Sequence, residues 1–133
     1  MGQDYQIEIQ NKIVKGLLDM IILELLNKQP MHGYQIITRI RKCFGIYYGP
    51  STVYPLLEAL EKKGVLKSAW NTDSERPRKI YKLTSHGENI LDFAEGSLTL
   101  IQKTMMNDDR TGLEASTSTE GAPGLRCLQV FSP

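Results

Sequence analysis

Two cysteines in 133 residues, Cys43 and Cys127, supply neither a disulfide framework nor a metal-ligand spacing. Long apolar runs are missing too: the longest segment, Ile13 to Leu26, is interrupted by Lys15, Asp19 and Glu24, so it cannot serve as a membrane span. The N-terminal Met-Gly-Gln-Asp-Tyr-Gln has no basic stretch ahead of an apolar one, and no Ser or Thr stands where a myristoylation motif places one. A cytoplasmic protein without a membrane partner is the expectation. Catalytic patterns are absent as well. No Ser-His-acid set, paired carboxylates, Gly-rich phosphate loop or metal cluster can be picked out, so neither an enzyme nor a bound cofactor is expected. What remains is an ordinary single-domain composition, with 41% hydrophobic and 23% charged residues.

The formal net charge of +1 conceals an asymmetry. Between Ile36 and Thr84 stand ten basic residues against four acidic ones, a net +6, which leaves −5 for the flanks. A basic middle on a neutral chain suits a surface that follows phosphates, although a solvated charged face would look the same.

Met1 to Gln10 is polar apart from Tyr5, Ile7 and Ile9, and suits either a mobile arm or the first turn of a helix. From Asn11 to Asn27, Val14, Leu17, Leu18, Ile21 and Leu25 repeat at three and four, with Ile13, Ile22 and Leu26 widening the stripe, which predicts a helix buried on more than one side. Gln29-Pro30 ends it, since a residue before proline is pushed out of the α region. A second helix is expected from His32 or Gly33 to Cys43, with Tyr34, Ile37, Ile40 and Phe44 inward and Arg39, Arg41 and Lys42 outward. His32 has no second ligand in sight and reads as a structural or capping residue.

The stretch Gly49 to Gly64 reads as a third helix. Ser51 or Thr52 can cap it, and the helix is expected to start there, because Pro55 would then fall in the first turn where its missing N–H costs nothing. Val53, Leu56, Leu57 and Leu60 form its buried stripe, and Gly64 is a left-handed stop after Lys62 and Lys63. Helix, short turn, helix is the helix-turn-helix arrangement, whose second member enters the major groove. Val65 to Trp70 and Lys79 to Leu83 then read as two strands around a polar tip, a hairpin whose descending side carries Arg76, Arg78 and Lys79. Together these predict a mainly α fold with a small β-hairpin, a winged helix-turn-helix domain over residues 1–84.

Ser85 and Glu88 have the spacing of a capping box, opening a last helix over residues 85–107. Leu91, Ala94, Leu98, Ile101 and Met105 alternate by three and four along it, a narrow repeat that predicts the seam of a homodimer. Residues 108–133 lose all periodicity and are expected to be a disordered tail.

Three motifs in this order resemble the PadR-like family of bacterial and archaeal transcriptional regulators: His32-Gly33-Tyr34, then Ser51-x-x-Tyr54-Pro55-x-Leu57-x-x-Leu60-Glu61-x-x-Gly64, then Arg76-Pro77-Arg78-Lys79-x-Tyr81-x-Leu83-Thr84-x-x-Gly87. The likeness spans roughly Lys15 to Leu91, and the short C-terminal part is similar to the subgroup with one long helix after the wing. The resemblance implies a homodimeric repressor that binds double-stranded DNA at an inverted repeat. Ser51, Thr52, Tyr54, Pro55, Arg39, Lys62, Arg76, Arg78 and Lys79 are the expected DNA-contacting residues. Some members hold planar aromatic effectors between C-terminal helices with a tryptophan. The single tryptophan here, Trp70, precedes the wing instead, which leaves Phe93 and Met105 as candidate effector contacts. A winged helix used for protein contact is the alternative from a different class, and it would show an apolar patch where Arg76, Arg78 and Lys79 stand.

Overall fold

The computed structural model describes residues 2–73 and 75–107; the expected tail over 108–133 lies outside the described residues. The order of elements is α1 (Gly2–Gly16), α2 (Leu18–Lys28), β1 (Met31–His32), α3 (Gly33–Phe44), α4 (Pro50–Lys62), β2 (Leu66–Asn71), β3 (Arg78–Leu83) and α5 (Ser85–Asn107).

The single helix expected over Asn11 to Asn27 is two. A break falls at Gly16-Leu17, where glycine lowers the cost of leaving helical geometry, and the Leu17 N–H still donates to Ile13 O and Val14 O. Upstream, α1 reaches back to Gly2, so residues 2–10 continue the helix rather than hang as an arm. Only Val14 of α1 is buried, whereas α2 buries Leu18, Ile21, Ile22, Leu23, Leu25 and Leu26 almost all the way round. Gln29, extended ahead of Pro30, sends the chain into β1.

Strand β1 was not legible as a strand. It pairs antiparallel with β3, Met31 opposite Tyr81 and His32 opposite Ile80, so the expected two-stranded hairpin is the larger part of a three-stranded sheet ordered β1-β3-β2. Two residues are too few to show alternation, yet they cover the edge of β3 that would otherwise stand unpaired. The sheet closes over the core with Met31, Leu66, Tyr81 and Leu83, against Ile22, Leu25, Ile36, Ile40, Val53 and Leu57. Each such side chain contributes about 1.5–3 kcal/mol by leaving water.

Helix α4 starts at Pro50, one or two residues earlier than the expected Ser51 or Thr52. Gly49 is its N-cap, Pro50 takes the first helical position, and no side chain caps it, so neither Ser51 nor Thr52 is used that way. Pro55 therefore lies inside the helix, beyond the first turn, and has no N–H to give to the Ser51 carbonyl. Gly64 does adopt the left-handed conformation, φ 81°, and hands the chain to β2.

The cap of α5 is also one residue upstream of the expected Ser85. The Gly87 N–H donates to Thr84 Oγ1 at 2.9 Å, and the same hydroxyl donates to Gly64 O at 2.7 Å, tying the end of α4 to the start of α5. Gly87 is required there: a Cβ would strike the Val65 carbonyl oxygen and come within 2.7 Å of Leu83 Cδ1. Beyond Leu91, no described residue of α5 is buried. Glu24 of α2 faces this helix. Partial burial, a hydrogen bond to Glu95 and repulsion from Glu95 and Asp92 outweigh the nearby Lys28 and raise its carboxyl to about 7. Among the described residues no helix is long and apolar enough to cross a membrane.

Candidate nucleic-acid interface

Helices α3 and α4, joined by Gly45–Gly49, form the helix-turn-helix, and the hairpin β2–β3 forms the wing. Gly45 ends α3 at φ 72° and turns the chain toward α4. The buried side of α4 is Val53, Leu57 and Leu60, which leaves Ser51, Thr52, Tyr54 and Pro55 exposed at its N-terminal end. The end of α4 is held by a close approach rather than by a cap. The Tyr54 ring lies over Gly33, where a Cβ would stand only 2.5 Å from Cε1 and Oη. Gly33 in the His-Gly-Tyr motif thus gives room for the aromatic ring of the following helix. Tyr54 is 38% exposed, so part of its ring packs and part faces outward.

His32 is the N-cap of α3, in agreement with the structural role expected for it. Its Nδ1 accepts from the Gln35 N–H at 3.3 Å, while the His32 N–H donates to Gln35 Oε1 at 3.0 Å. On the far side of the ring, Nε2 lies 3.0 Å from Arg78 Nη1 on the wing. Partial burial and the Arg78 charge both hold the imidazole below its ordinary value.

These contacts open onto one hollow of about 620 Å³, lined by His32, Tyr34, Tyr54, Trp70, Arg76 and Arg78, with the Glu58 carboxylate also on its wall. Register explains the wing's share. Trp70 stands opposite Lys79, and Asn71 opposite Arg78. The Asp73 N–H donates to Asn71 Oδ1 at 2.9 Å at the start of the tip.

The expected DNA-contacting residues do not form one group. Lys79 also lines the hollow, but its ammonium is engaged: its Nζ is 3.9 Å from Glu61 Oε1 and lies about 6 Å from the Trp70 and Tyr81 ring centres. Glu61 in turn accepts from Ser68 Oγ at 2.7 Å. An ion pair this exposed contributes little energy; it links β3 of the wing to α4. Lys62 sits at the opposite end of α4 from Ser51, about 16 Å along the axis. Arg39 is half-buried on α3, and burial lowers its guanidinium without discharging it. The group brought together is Tyr54, Arg76, Arg78 and the engaged Lys79, joined by His32, Tyr34 and Trp70. The His-Gly-Tyr motif was the one available signal for the first two of these additions.

Residues 22–92 match the transcriptional regulator PadR-like family. The chain belongs to that family. It is 31% identical to a PadR-like transcription factor of Bacteroides fragilis, whose structure matches with a TM-score of 0.64 over 74% of this chain and 95% of that one. A PadR family transcriptional regulator of Eggerthella lenta is 28% identical, with a TM-score of 0.69 over 77% and 90% of the two chains. An uncharacterized protein of Lysinibacillus sphaericus is 33% identical over 86 residues, 62% of this chain and 79% of its own length. The chain is thus a PadR-family transcriptional regulator with the winged-helix fold.

The residues expected at a dimer seam separate in this PadR-type fold. Leu91 is 2% exposed and belongs to the protomer's own core, whereas Leu98, Ile101 and Met105 lie uncovered on the outer part of α5. Ala94, Leu98 and Ile101 face a cleft of about 500 Å³ between α2 and α5, together with Leu17, Met20 and Leu23. Phe93, one of the two candidate effector contacts, also lines that cleft, though 73% of it is exposed; Met105 does not line it.

Proposed function

We propose that this PadR-family regulator binds double-stranded DNA sequence-specifically, as a homodimer that represses transcription from an inverted-repeat operator. The observation that carries this reading is the shared hollow, where the exposed N-terminal end of α4 meets the Arg76 and Arg78 side of the wing. A helix end inserted in a major groove meets base edges, while flanking cations neutralise phosphates beside it. Ser51, Thr52 and Tyr54 are assigned to reading, and Arg76 and Arg78 to holding. Lys79 acts by keeping the wing against α4.

The homodimer is supported by uncovered apolar side chains on two helices. On α1, Tyr5, Ile9 and Ile13 recur every four residues on one side, and on α5 Leu98, Ile101 and Met105 continue the stripe begun by Leu91. Exposure of this extent on a soluble chain calls for a partner. A second copy satisfies it by symmetry and sets two reading helices at a spacing near one turn of DNA. The cleft between α2 and α5 is the place for an apolar effector, with Phe93 at its rim.

The test is selection of bound duplexes from a random pool at stated salt, followed by affinity measurement on the winning and on scrambled sequences. Enrichment of an inverted repeat is expected. A wild-type chain that shows no preference among duplexes at any salt would instead favour a winged helix working through protein contact.

A further inference from the structure

The contact between His32 and Arg78 cannot be an ordinary hydrogen bond while His32 caps α3. Capping requires a lone pair on Nδ1, since the Gln35 N–H points at it. A neutral imidazole with Nδ1 unprotonated carries its proton on Nε2. That Nε2–H is the group 3.0 Å from Arg78 Nη1, which is itself a donor under all conditions. Two donors therefore converge, one from the cap of α3 and one from the wing, at the edge of the hollow that contains Tyr54. The opposite tautomer would let Arg78 donate to Nε2, but it would turn an N–H against the Gln35 N–H and lose the cap. Protonating the ring removes the acceptor altogether. In no state does the imidazole satisfy both neighbours.

One oxygen with several lone pairs and a negative charge, placed to the side of the pair, would accept from both groups at once. Resting on the DNA-binding reading above, we propose that His32 Nε2–H and Arg78 form a two-donor seat for one DNA backbone phosphate in each half-site. The location agrees with this chemistry. The seat is next to the N-terminus of α3, whose first N–H groups add positive potential. It also flanks the end of α4, where a backbone strand passes beside the groove that α4 enters. Occupation would couple the wing to the helix-turn-helix through a shared ligand, so His32 serves the helix with one nitrogen and the nucleic acid with the other.

His32→Asn separates the two roles, because asparagine caps a helix well and has nothing in place of Nε2. Salt titrations of a labelled random-sequence duplex of about 30 base pairs would be followed by anisotropy for wild type, His32→Asn, Arg78→Ala and the double variant. Arg78→Ala should flatten the slope of log K against log salt by about 0.9 per half-site engaged, whereas His32→Asn, which removes a neutral donor, should weaken binding at every salt concentration with little change of slope. Between 50 and 200 mM salt, wild type should then lose affinity by about 3.5-fold more per half-site than Arg78→Ala. The double variant should fall little below Arg78→Ala, since both substitutions act on the same phosphate. His32→Asp, which also caps but sets a carboxylate against Arg78, should weaken binding further and serves if the asparagine variant folds poorly. Unchanged affinity in both His32 variants across the salt range, with at most a lower melting temperature, would make His32 a cap only and overturn the seat while leaving DNA binding intact. Full additivity in the double variant would overturn it equally. A wild-type chain without salt-dependent affinity for any duplex would remove the seat together with the reading it rests on.

Discussion

Gly33→Ala adds one methyl group at the most crowded point between the two helices of the helix-turn-helix. The new carbon would lie 2.5 Å from Tyr54 Cε1 and Oη, far inside contact distance, and the ring is rigid. It can escape only by rotating as a whole toward solvent, which its 38% exposure permits in part. Overpacking of this kind costs about 1–3 kcal/mol. Alanine recovers at most about 1 kcal/mol of helix propensity relative to glycine, and less at the first helical position. A net loss of about 1–2 kcal/mol is expected by urea denaturation. The cause can be isolated with Tyr54→Ala: if the ring is what the methyl strikes, Gly33→Ala should cost almost nothing in that background, a coupling of 1 kcal/mol or more. Binding should respond as well, because a displaced ring moves the outward part of Tyr54 at the end of α4. Equal destabilisation by Gly33→Ala with and without the ring, or none in either, would show that the close approach does not hold the two helices together.

Four further outcomes can be checked. Tyr54→Ala should reduce the ratio of specific to non-specific affinity by about 1–3 kcal/mol if the exposed part of the ring meets a base, and competition between a selected and a random duplex measures this. Leu98→Glu should convert a dimer to monomers in light scattering without unfolding the protomer, because Leu98 is not needed by the protomer's own core. Gly87→Ala should lower the melting temperature more than Gly33→Ala does, because one obstacle is the Val65 carbonyl oxygen, which cannot rotate away. Glu24 keeps its proton to about pH 7 when folded and only to about 4.5 when unfolded, so stability should fall as pH rises through that interval. Unscreened, the displacement corresponds to about 3.4 kcal/mol; partial exposure reduces the expectation to about 1 kcal/mol. Glu24→Gln should flatten the melting-temperature profile between pH 5 and 8.

Where sequence reasoning succeeded, it rested on periodicity and on residues with few backbone options. The three- and four-residue repeats of α2, α3, α4 and α5 place the helices, and Gly64 can stop α4 because it tolerates φ 81°. The misses are local competitions that a pattern does not rank. Gly49-Pro50 outcompetes Ser51 as the start of α4, which leaves Pro55 in the interior. Thr84 outcompetes Ser85 because its hydroxyl has a second use at the Gly64 carbonyl. Strand β1 exists through its pairing with Tyr81 and Ile80, fifty residues away, and nothing within two residues could announce that. The site followed the same division. Arg78 could be found from charge alone, but charge does not show that Lys79 beside it, on the same hollow, is tied to Glu61 while Arg78 meets His32. Leu91 fits the repeat of α5 as well as Leu98 does, and only the packing of α5 on α2 and β3 decides that one is interior.

Trp70 is the single tryptophan of the chain, 64% exposed at the base of the wing tip, with the Lys79 ammonium 6.0 Å from its ring centre. Indole emission responds to solvent contact and to nearby charge, so the tryptophan fluorescence of the unlabelled protein, excited at wavelengths the six tyrosines do not absorb, reports on the wing. Unfolding that begins in α1 or at the outer end of α5 would leave this signal unchanged while helical circular dichroism falls, and loss of the Glu61–Lys79 tie would change the emission before the helices melt. The chain thus contains a dye at the one hairpin whose angle matters, and an optical titration can follow the wing without any substitution.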